Sequence, residues 1–110
     1  MLDIGKRPYF YWKIRAAAEA LVEGEGPLRQ RILWALASTI LLKHDELPAD
    51  IAEIMLEIRV QATWKQDGDP EDGTFKNTLD AMSDADARKL ALLILETYEL
   101  AVAHIAGPAD

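Results

Sequence analysis

Apolar residues recur at three- and four-residue spacing in four separate blocks of this 110-residue chain, and each block is bounded by proline or glycine. Residues i, i+3, i+4 and i+7 share one face of a helix, so blocks of this kind read as amphipathic helices. No run alternates apolar and polar residues over a length that a strand would use. The chain is therefore expected to be all-α. Helices are placed at 8–23, 27–43, 48–66 and 84–106 and expected to form a bundle of four main helices, largely antiparallel because the connections between the first three are short. A single helical domain over 1–110 is expected, since a chain of this length can bury a core without disulfides or a metal.

The punctuation supports these bounds. Pro8, Pro27 and Pro48 suit the first turn of a helix, where the missing N–H costs nothing, and Gly24, Gly26 and Gly107-Pro108 suit the stops. Ser83-Asp84-Ala85-Asp86 resembles a capping box with Asp in the place usually held by Glu or Gln. Asp67-Gly68-Asp69-Pro70-Glu71-Asp72-Gly73 has turn chemistry and no apolar side chain, so it reads as an acidic surface loop. After it, Thr74 to Met82 is a candidate for a short extra helix that packs Phe75, Leu79 and Met82.

Projection at about 100° per residue separates core from surface. Phe10, Ile14, Ala17, Ala18 and Leu21 form one stripe, and Ile51, Ile54, Met55, Ile58 and Ala62 form another. The second helix is apolar nearly all round through Ile32, Leu33, Trp34, Leu36, Ile40, Leu41 and Leu42, which predicts a central position or cover by a second copy. In the last helix Leu90, Leu93, Ile94 and Ala101 face one way, while Leu92, Leu95, Val102 and Ala103 spread over the others.

Several large side chains fall outside those stripes. Four consecutive aromatics, Tyr9-Phe10-Tyr11-Trp12, sweep about 300° of a helix and cannot all point inward. Trp12 projects on the side of Glu19 and Glu23, and Val60 and Trp64 project on the side of Glu53 and Glu57. Exposed aromatics rimmed by charge are what protein interfaces use. Tyr9, Trp12, Trp34, Val60 and Trp64 are therefore the interface candidates, and the competing reading is that a loop or the N-terminal residues fold over them.

Charge narrows the partners. The net charge is −7, but residues 1–15 carry +3 through Lys6, Arg7, Lys13 and Arg15 against Asp3, which leaves −10 on the rest. The two parts should attract each other, within one copy or between two. A nucleic-acid backbone needs a concentrated basic surface, so net acidity argues against it as the main partner. The longest nearly apolar run, Ile32 to Leu42, is about half the roughly 20 residues that a membrane span requires. With no cysteine and no export signal read at the N-terminus, a cytoplasmic location is expected.

Chemistry-bearing residues are sparse. Glu53 and Glu57 stand four apart and Glu96 and Glu99 three apart, so each pair projects from one helix face. Four such carboxylates on facing helices are the generic pattern by which helical nucleotide pyrophosphohydrolases hold Mg²⁺, and that metal-dependent enzyme is the alternative reading. The loop acids Asp67, Asp69, Glu71 and Asp72 do not fit an EF-hand, because neither register starting at Asp67 nor one starting at Asp69 puts Gly sixth. His44-Asp45 resembles the metal-binding pair of helical phosphohydrolases, yet His104 is the one further histidine. Both histidines are read instead as cations near helix C-termini. No base is evident for a Ser or Thr nucleophile.

A helix-turn-helix DNA binder is a further alternative, although the third helix presents Asp50, Glu53 and Glu57 where a recognition helix needs Arg, Lys, Asn or Gln. The residues together predict a small, non-catalytic protein-interaction or regulatory module, self-associating as a homodimer. No cofactor or catalytic residue is assigned.

Overall fold

A computed structural model of the chain describes residues 7–68 and 73–106. These residues form five α-helices, α1 (Tyr9–Glu23), α2 (Leu28–Thr39), α3 (Ala49–Ala62), α4 (Gly73–Ala81) and α5 (Asp84–Ala106), with a short 3-10 turn at His44–Glu46 between α2 and α3. No strand occurs among the described residues. Among the described residues no helix is long and apolar enough to cross a membrane. The Gly107-Pro108 stop, Lys6, and the loop acids Asp69, Glu71 and Asp72 lie outside the described residues.

Proline begins three of the helices by fixing φ one residue before each. Pro8, Pro27 and Pro48 are the N-cap residues, with φ of −66°, −67° and −54°, in the extended conformation from which a helix can start. The α5 start is different. Ser83 Oγ accepts from the Asp86 N–H at 3.1 Å while the Ser83 carbonyl accepts from the Ala87 N–H, which satisfies one of the orphan amides of the first turn.

Two arginines of α2 lock the neighbouring turns. Arg31 donates to the Leu21 carbonyl at 2.7 Å and to the Gly26 carbonyl at 3.2 Å, which closes the α1–α2 connection where Gly26 takes φ +95°, a conformation that side chains disfavour. Arg29 donates to the carbonyls of Leu79 at 2.8 Å and Met82 at 2.6 Å and pairs with Asp84 at 2.9 Å. One side chain of α2 thus holds the end of α4 and the start of α5.

The core forms around α5. Its buried residues Ala87, Leu90, Ile94, Thr97 and Ala101 follow one another at spacings of three and four, so they lie on one face. Along that face Ala17 and Leu21 of α1, Ile32, Ala35 and Leu36 of α2, Ile58 and Ala62 of α3, and Leu79 of α4 pack into one cluster with Leu90 and Ile94. A second cluster joins Tyr11, Ile14, Ile51 and Ala101 at the other end. Each large aliphatic side chain so enclosed contributes roughly 1.5–3 kcal/mol relative to exposure. The two buried threonines are satisfied: Thr97 donates to the Leu93 carbonyl at 2.8 Å, and Thr78 accepts from the Lys65 N–H at 3.0 Å.

Helix α2 packs on α1, α4 and α5 and leaves Trp34 exposed on its outer side, with Ile40 and Leu41 exposed just past its end. Three expectations from the sequence require correction. In α1 it is Tyr11 that is buried, whereas Phe10 is half-buried at the margin of the second cluster, because the stripe runs through Ile14 and Ala18 on the Tyr11 side. Ile54 and Met55 are likewise only half-buried, and Ala52 takes their place inside. Finally, α2 stops at Thr39 and α3 at Ala62, short of 43 and 66. The Thr39 carbonyl accepts from the Leu42 N–H in a tightened turn, and Thr63 leaves the helical region at φ −131° with its hydroxyl donating back to the Arg59 carbonyl.

Candidate functional site

The largest departure from an ordinary helix surface runs along the outside of α3. Leu56 and Val60 stand four apart on α3, and Trp64 follows by another four just beyond its end. They are exposed by 54%, 59% and 55%. Helical spacing aligns Leu56 with Val60, Trp64 lines a groove together with Val60, and three grooves meet along this edge. The first is lined by Leu42, His44, Leu47, Met55, Leu56 and Arg59. In the second, Leu56, Val60 and Ile54 of α3 face Leu93 and Leu100 of α5, with Asp50, Glu53, Glu57 and Glu96 around them. The third holds Val60 and Trp64 against Met82, Asp86 and Lys89. Leu56 is shared by the first two and Val60 by the last two, so the apolar edge is continuous.

Electrostatics divides the rim. Asp50 accepts a hydrogen bond from His104 Nε2 at 2.8 Å, and this bond holds its carboxyl below the usual value of 3.8. Glu57 accepts from Gln61 at 2.7 Å. Glu53 and Glu96 are exposed and engage no described residue. His104 stands in the last turn of α5, as expected from the sequence, and also pairs with the first turn of α3 across the helix junction. His44 sits in the 3-10 turn at the first groove.

A second unusual surface lies on α1. Tyr9 and Trp12 point away from the buried stripe, with 59% and 38% exposure. Cations surround them. The Lys13 ammonium is 5.5 Å from the centre of the Tyr9 ring, and the guanidinium groups of Arg7 and Arg15 are 5.7 and 5.9 Å from that of Trp12, within reach of cation–π attraction. Arg15 also pairs with Glu19 at 3.1 Å, and this carboxylate is the main cause of its raised pKa. Beneath them Arg7 donates to the Tyr11 hydroxyl at 3.1 Å. Tyr98 of α5 is held above the usual tyrosine range, first by its hydrogen bond with Tyr11 and then by burial.

The five interface candidates are thus all exposed, but they fall on three surfaces: Tyr9 and Trp12 on α1, Trp34 on α2, and Val60 and Trp64 on and just past α3. Leu56 was missed, although its place four residues before Val60 was the available signal. Of the paired carboxylates, Glu53, Glu57 and Glu96 share the second groove whereas Glu99 does not line it. Among the described residues no three His, Asp or Glu side chains come close enough together to hold a metal ion. On the α3 face considered for DNA, Gln61 is engaged by Glu57 and Lys65 by Asp67 at 3.1 Å, which leaves Arg59 as an exposed cation. Compared with protein-family models, with curated proteins and with solved structures, the chain matches none.

Proposed function

We propose that this is a non-catalytic protein-interaction module, a cytoplasmic homodimer that associates through the outer edge of α3 and the groove between α3 and α5. The observation that carries this reading is the continuous exposed edge of Leu56, Val60 and Trp64, which links three grooves. A half-exposed tryptophan among apolar neighbours and rim charges has the composition of an interface centre. The apolar floor of the second groove, Ile54, Leu93 and Leu100, would take the apolar side of an amphipathic helix. In this reading the four longer helices form a largely antiparallel bundle, supported by the short connections from α1 to α2 and from α2 to α3.

The test is the molar mass in solution over a dilution series, for the wild type and for Val60→Ser and Trp64→Ser. A reversible dimer should form, and each substitution should weaken it by roughly tenfold or more while the urea midpoint stays near that of the wild type. A wild type that remains monomeric at every concentration would refute the proposal. So would variants that lose stability in proportion to association, since these residues would then belong to the core.

A further inference from the structure

The acidic groove and the basic outer face of α1 are complementary surfaces on one molecule. The groove has an apolar floor and a rim of Asp50, Glu53, Glu57 and Glu96. The α1 face has an apolar centre, Tyr9 and Trp12, and an edge of Arg7, Lys13 and Arg15, of which Arg15 is paired with Glu19 of its own helix. The two cannot meet within one copy, because α1 is held against α2 and α5 by its opposite side, through Ile14, Ala17, Ala18 and Leu21.

We propose that the occupant of the groove is the outer face of α1 from a second copy. This rests on the reading of the α3–α5 face as a self-association surface and names what fills it. Packing of Tyr11 and Ile14 with Ile51 and Ala101 sets the start of α1 beside the start of α3 and the last turns of α5, where Asp50 and Leu100 border the groove. The α1 face and the Asp50–Leu100 end of the groove therefore lie near one end of the molecule. A two-fold axis at that end lets each copy offer its α1 face to the groove of the other, so the contact is made twice and the assembly closes at two. Trp12 and Tyr9 cover the Leu93–Leu100 floor, and Lys13 and Arg15 reach Glu53, Glu57 and Glu96. Because the rim charges are exposed, the attraction is screened within about 8–10 Å at physiological salt.

A charge swap tests this directly. The double variants Lys13→Glu with Arg15→Glu, and Glu53→Lys with Glu57→Lys, should each dimerise roughly tenfold or more weakly than the wild type. Mixed in equal amounts they should form a dimer containing one of each, seen by native mass spectrometry, since both reversed and original contacts are then satisfied. Dimerisation of the wild type should weaken from low to high salt. Circular dichroism confirms that each variant is folded. Should one not fold, the chain's lack of cysteine allows a second measurement, in which Lys13→Cys and Glu53→Cys variants, mixed and oxidised, form a cross-linked pair in preference to either self-pair. Charge variants that dimerise like the wild type, or a mixture that yields neither mixed dimer nor cross-link, would overturn the proposal. If these fail while Val60→Ser still abolishes association, the α3 face self-associates with a different occupant, and a monomeric wild type instead removes the underlying reading.

Discussion

Replacing Arg29 with methionine removes three interactions at once, and the structure says which of them matter. The guanidinium donates to the carbonyls of Leu79 and Met82 and pairs with Asp84. The Asp84 side chain is 80% exposed, so that pair is worth less than about 0.5 kcal/mol. Carbonyls bonded to a charged donor are different, at about 1.5–3 kcal/mol each when the donor is lost and nothing replaces it. The α4–α5 turn is at the surface and water can reach part of both carbonyls, so the lower end of that range applies. Two bonds then give a loss of about 3 kcal/mol, or a fall in Tm of about 12 °C for a chain of this size. Methionine keeps the apolar stem of the side chain, so the loss is polar in origin. Arg29→Lys should lie about halfway, because one ammonium can serve one carbonyl but has no fork to serve both. Equilibrium unfolding in urea, with the wild-type slope retained, measures each value. A methionine variant within about 0.5 kcal/mol of the wild type would refute the argument, since it would mean that water alone satisfies this turn.

Two further predictions use the same assay. Ser83→Ala should cost about 1 kcal/mol, whereas Ser83→Asp, which retains a capping oxygen, should cost a few tenths; equal losses would show that the Asp86 contact is incidental. Asp50 has a carboxyl pKa lowered in the folded protein by its bond from His104, so the unfolded chain binds more protons through the acid range and this contribution fades as pH falls from about 5 through the folded value. Asp50→Asn should therefore flatten the acid limb of the stability profile and leave the neutral limb unchanged in slope. An unaltered acid limb would rule out the pairing as a source of stability.

Much of this fold was legible because helices carry their burial pattern in local order. The α5 stripe could be read from Leu90, Ile94 and Ala101, and the cap from Ser83, since each depends on neighbours within a turn or two. Tyr11 was harder. Four adjacent aromatics occupy successive 100° steps, and which one turns inward depends on where α5 places Tyr98 and Ala101, about 90 positions away. The early stops of α2 and α3 depend on single hydroxyl and turn contacts that periodicity does not encode. The roles of Arg29 and Arg31 carry no local signature, because their partners at Leu79, Met82 and Leu21 are set by tertiary packing. On the outer surface, Val60 and Trp64 stood out because they contradict the Ile51–Ile58 stripe. Leu56 escaped notice among other apolar letters, and the position of Glu99 outside the groove depends on how α5 is rotated about its axis.

The position of α5 in the chain has a consequence for synthesis. Every other helix places buried side chains against it or against one another around it, yet Asp84–Ala106 follows all of them in order. As the polypeptide leaves the ribosome at roughly 5–20 residues per second, α1 to α4 emerge without the surface that closes over Ile32, Ile58 and Leu79. Until α5 appears the nascent protein shows apolar faces that the folded one hides, so the burial of those faces waits on Asp84–Ala106.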